Sequence, residues 1–80
     1  MAEKEHILLQ QVKHSDKGAF KTLFSLYHDT LFRFVFYRVK DNDLAEDITQ
    51  DTFLRVWKTR ESLQPKKSFF SLIARISSNL

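Results

Sequence analysis

Eighty residues make one small domain that buries only roughly 60–65% of the surface its unfolded chain exposes, which excludes a large enzyme with a deep cleft. Hydrophobic residues at 42% and aromatics at 14% supply a core and exclude wholesale disorder, while one Gly and one Pro are too few for the turns of an all-β sandwich or barrel. The net charge of +3 hides an uneven layout: residues 1–40 carry seven Lys or Arg against four acids, residues 41–51 five acids and no base, and residues 55–80 six bases against Glu61. Surfaces of opposite sign can attract two different partners, although ordinary charge compensation at helix ends produces the same layout. The absence of Cys excludes disulfides, thiolate zinc sites and thiol catalysis, and fits a reducing compartment. No signal peptide or membrane span is read from the sequence, since Arg33 and Arg38 break the longest apolar stretches, and a cytoplasmic location without membrane insertion is expected.

Ile7, Leu8, Leu9 and Val12 predict a short N-terminal helix within residues 1–14, closed by a polar turn through Gly18. Phe20, Leu23, Phe24, Tyr27, Leu31, Phe34 and Val35 then recur at steps of three and four, one face of a long helix over residues 19–39. Phe32, Phe36 and Val39 form a second stripe, so this helix needs cover from two sides. Asp43 followed by Glu46 reads as a capping box that opens a helix over residues 44–60. In that helix Ala45, Ile48, Thr52 and Val56 line one face, while Asp47, Gln50, Asp51, Leu54 and Lys58 fall on another. Leu63, Gln64 and Pro65 interrupt the pattern and residues 61–67 form a loop. A last helix, residues 68–80, directs Phe69, Leu72, Ile73, Ile76 and Leu80 to the core and Ser68, Ser71, Arg75 and Ser78 outward. The fold class is all-α, a three- or four-helix bundle in a single domain.

No enzyme constellation is present. His6, His14 and His28 lie at no metal-ligand spacing, there is no Gly-rich phosphate loop and no nucleophile elbow, and no cofactor or metal is expected. The acids Asp43, Glu46, Asp47 and Asp51 fit the first turns of a helix better than a divalent-ion site. The face of Asp47, Gln50, Asp51 and Leu54 suits docking on a basic helix, and equally an ordinary solvated face with one stray Leu. Lys58, Arg60, Lys66, Lys67 and Arg75, interleaved with Phe69, Phe70 and Ser hydroxyls, combine phosphate-neutralising and stacking groups, although paired lysines are also common as plain solvating charge.

At these two faces the chain resembles a known family. The string from Ala45 to Trp57 (AEDITQDTFLRVW) is similar to region 2.2 of bacterial RNA polymerase sigma factors of the extracytoplasmic-function (ECF) group. Ala19–Phe36 resembles the region 2.1 helix, and Ser68–Leu80 the helix of regions 2.3 and 2.4. The resemblance implies that Asp47, Gln50, Asp51 and Leu54, with Trp57 and Lys58 at the edge, dock on the coiled coil of the polymerase β′ subunit. It further implies that the loop from Leu63 through Lys66 and Lys67 to Ser68, with Ser71, Arg75 and Asn79, holds the melted non-template strand of the minus-ten promoter element and captures an extruded base. An anti-sigma factor is an implied partner. Ser78 and Leu72 stand where ECF sequences usually carry Arg and Trp, so a less basic and less aromatic strand-holding face is expected. The sequence stops about where the family's last region 2 helix continues into basic residues, as expected of a fragment of a longer protein. The competing reading is a sigma-like helical interaction module, bound by an anti-sigma factor or other regulator and with little DNA activity.

Overall fold

Two aspartates and one serine start three of the helices of this all-α chain. The computed structural model describes residues 2–80. Helix α1 spans Ala2–Lys13, α2 Lys17–Val39, α3 Asn42–Lys58 and α4 Phe69–Ser78, with a 3₁₀ turn at Arg60–Ser62. Asp16 caps α2 by accepting from the Ala19 N–H at 3.0 Å, and Ser68 caps α4 by accepting from the Ser71 N–H at 3.2 Å.

The start of α3 departs from the expected capping box. Lys40 adopts a left-handed conformation (φ 57°) and donates its N–H to Phe36 O, which ends α2. Asp41 is extended immediately after it and accepts from the Leu44 N–H at 3.0 Å, so Asp41 is the cap and Asp43 lies in the first helical turn. Asp43 there complements the helix dipole. Glu46 is turned towards α2 instead of back to the cap.

Helix α2 is the centre of the bundle, packed against α1, α3 and α4, while α3 also packs on α4. Leu23, Leu31 and Val35 of α2 are buried with Leu9 and Val12 of α1, Phe53 and Val56 of α3, and Phe69 and Ile73 of α4. Aromatic rings fill the seams: Phe24 meets Phe53 edge-on at 4.8 Å, and Tyr27 meets Phe69 at 5.2 Å. The second α2 stripe is covered less completely, with Phe32, Phe36 and Val39 half-buried.

Two polar residues sit fully inside this core. The Thr49 hydroxyl donates to Ala45 O at 2.7 Å and that of Thr52 to Ile48 O at 2.8 Å, so neither costs an unmet hydrogen bond. Leu80 does not join the core as expected: α4 ends at Ser78, and two residues later Leu80 is 41% exposed, whereas Ser77 is buried.

Candidate functional site

The face of α3 directed away from Phe53 and Val56 carries Asp47, Gln50, Asp51, Leu54 and Lys58, all exposed, with Leu54 54% open. Their spacing along a 3.6-residue helix gives one strip. Glu46 sits beside it, half-buried, where it meets His28 of α2 at 3.1 Å and accepts from the Gln50 amide at 3.2 Å. His28 is pushed above the ordinary histidine range by its bond to Glu46 and then by that to Asp29. Glu46 is pulled below the ordinary carboxylate range, chiefly by the same bond to His28.

Trp57 belongs only partly to this strip. Its ring lies 5.2 Å from Phe20, and the Arg60 guanidinium covers it at 4.3 Å from the ring centroid. Arg60 is itself held by bonds to Trp57 O and Ser15 Oγ, both 2.8 Å. Trp57 is therefore half-buried packing at the edge of the acidic face.

A concavity of ≈ 580 Å³ opens between the 59–68 segment, α4 and α1. Of the residues expected to hold a nucleic-acid strand, Leu63, Lys67, Ser68, Ser71 and Arg75 line it, whereas Lys66 and Asn79 do not. Lys67, Ser68, Ser71 and Arg75 are exposed there. Leu63 lies at the base of the hollow: it is 4% exposed and packs into the core, because the extended backbone after the 3₁₀ turn aims it inward. No residue of the acidic strip lines the concavity.

Sequence reasoning missed three contributors to this hollow. Thr59 and Ser62 add hydroxyls from the turn after α3, and Leu9 of α1 forms part of the wall. The Thr and Ser were legible as polar loop residues. Nothing local to Leu9 reveals that it meets a segment some fifty residues away.

Helix α1 also braces the hollow through two polar ties. Lys13 Nζ donates to Leu63 O at 3.0 Å. Glu5 accepts from the Phe69 N–H at 3.3 Å, at the positive end of α4, and from the Tyr27 hydroxyl. Among the described residues, no three His, Asp or Glu side chains gather into a metal-binding set.

The acidic strip lies on α3, and the separate basic, hydroxyl-lined hollow lies beside α4. Residues 23–80 match the Sigma-70 region 2 family. The chain belongs to that family. Curated proteins it is similar to include ECF sigma factors. BldN of Streptomyces coelicolor is 40% identical over 60% of this chain and 18% of its own length. SigX of Bacillus subtilis is 37% identical over 70% of this chain and 30% of its own, and the sigma-E factor of Haemophilus influenzae 30% identical over 99% and 42%. The region 2 chain thus spans well under half the length of these curated relatives. No solved structure matches it. No helix among the described residues is long and apolar enough to cross a membrane.

Proposed function

We propose that this region 2 chain serves transcription initiation in the cytoplasm as the part of an ECF sigma factor that tethers RNA polymerase and melts the minus-ten element, a binding role without catalysis. In this reading α2, α3 and α4 are regions 2.1, 2.2 and 2.3/2.4. The strip Asp47, Gln50, Asp51 and Leu54, edged by Trp57 and Lys58, docks on the β′ coiled coil. The hollow beside α4 takes a base extruded from the non-template strand. Unpairing that base costs a few kcal/mol, which phosphate contacts and hydrogen bonds must offset.

The observation that carries the reading is the hollow: its volume lies within the roughly 300–1,000 Å³ of small-ligand sites, and cationic Lys67 and Arg75 flank the hydroxyls of Ser68 and Ser71. Lys66 is exposed outside the hollow and acts as a general attraction for the strand. Replacing both Lys67 and Arg75 with Ala is expected to weaken binding of a minus-ten single strand and to flatten the dependence of log affinity on log salt by about 1.4, about 0.7 for each lost phosphate contact. Fluorescence anisotropy across a salt series measures both. An unchanged slope would favour the interaction-module reading, which has one observation behind it. Leu72 lines the hollow where ECF sequences usually place Trp, so a base there has less aromatic surface to stack on.

A further inference from the structure

His28 stands between two carboxylates. Its Nδ1 is 3.0 Å from Asp29 on the same helix, and its Nε2 is 3.1 Å from Glu46 on α3. A neutral imidazole has one ring proton and can donate to only one of them, so the two contacts together are those of the charged ring. The ring is also held sterically, 5.2 Å from Phe24 and stacked 6.3 Å from Phe32, one helical turn away on either side. Among the described residues, Asp29 and Glu46 are the charged groups paired with it, and α1 and α4, the other helices packed on α2, pair none.

The same Glu46 oxygen that faces His28 accepts from Gln50 Nε2 at 3.2 Å. This fixes which end of the Gln50 amide faces outward, because the reversed amide would set two oxygens against each other. The amide carbonyl is therefore the end left for a partner, one residue from the Asp51 carboxylate and three from that of Asp47.

We propose that His28 and Glu46 are positioning residues for the α3 docking strip, holding the Gln50 carbonyl outward so that the Asp47–Asp51 stretch of the strip turns acceptors towards a cationic helix. The inference rests on the reading of that strip as the β′-docking face. Loss of the His28 proton removes one of its two donated bonds and the charge that steadies Glu46. The Glu46 carboxylate, no longer held against α2, can swing off the Gln50 amide, which is then free to rotate and present its NH₂ group, a donor, to lysine and arginine side chains that need acceptors. Docking on a basic helix consequently weakens as pH rises through the His28 transition.

Nuclear magnetic resonance on the 80-residue chain tests the relay directly. The Gln50 side-chain amide resonances are expected to shift with the same midpoint as the His28 ring, and that dependence is expected to vanish in His28→Phe, which keeps an aromatic ring between Phe24 and Phe32. A Gln50 amide indifferent to His28 titration in the unsubstituted chain overturns the inference, whatever the variant does. A second arm measures affinity for a purified β′ coiled-coil fragment at pH 6 and pH 8.5. A roughly twofold to fivefold weakening at the higher pH, the scale of one partly exposed charged pair, is expected for the natural sequence and is expected to disappear in Gln50→Ala. Binding without that pH dependence overturns the positioning role. Absence of binding at both pH values, with Gln50 still following His28, overturns the docking reading and leaves the relay supported.

Discussion

The Tyr27 hydroxyl reaches the Glu5 carboxylate where α1, α2 and α4 converge, and its pKa is pushed up to about 12, by burial first and by the bond to Glu5 second. The fold therefore holds the neutral phenol. A folded pKa above the ordinary 10.0 lends stability that is fully present below pH 10 and is lost as pH rises from there towards 12. In Tyr27→Phe the aromatic contact to Phe69 remains while Glu5 loses a donor, so a loss of about 1–2 kcal/mol is expected. Urea unfolding checks it as a lower midpoint at unchanged slope, and the tyrosinate absorbance should lose the phase centred near 12. Tyr27 was legible in the sequence as part of a core stripe. Its hydroxyl's partner was not, because Glu5 lies 22 residues away in the chain and 64 residues from Phe69, which it also caps. Periodicity reports which face of a helix is apolar, and it is silent on which polar atom of another helix arrives there.

At the scale of the helix, the start of α3 shows where local reading stops. Asp41 and Asp43 are both good caps by residue type, and a Glu three residues after Asp43 completes a capping box on paper. The backbone decides otherwise, since Lys40 turns left-handed and leaves only Asp41 in the extended conformation a cap requires. Glu46, the other half of the box, is engaged by His28, a contact between helices that no short window contains. Asp41→Ala is expected to cost about 1 kcal/mol, a fall of roughly 4–8 °C in Tm for a domain of this size. Asp43→Ala removes only a favourable dipole contact, about 0.3 kcal/mol. Thermal unfolding followed by circular dichroism ranks the two, and equal or reversed losses would return the cap to Asp43. Leu31–Val39 is the end of the helix expected over residues 19–39. Its Phe and Val content allows a strand, but the register carried in from Phe20 continues through it, and α2 is unbroken to Val39.

For the molecule as a whole, α1 ties the hollow to the core although it lies outside the residues that match the family. Its Leu9 is 1% exposed and serves twice, as core against the other helices and as wall of the hollow beside α4. The acidic strip and the cationic residues were legible as charge patterns, each within one segment. The hollow was not, because it exists only once α1, the 59–68 segment and α4 are brought together by long-range contacts. Leu9→Ala therefore leaves a cavity in the core and a breach in the wall at once. A loss of about 2–5 kcal/mol is expected. This is a large share of the roughly 4–12 kcal/mol available to 80 residues. Ile7→Ala, on the exposed side of the same helix, is expected to change stability by no more than about 0.5 kcal/mol. Minus-ten single-strand affinity, measured at a temperature where Leu9→Ala remains folded, is expected to fall in that variant and to hold in Ile7→Ala. Equal strand affinity in the two folded variants would show that α1 supports the bundle without shaping the hollow.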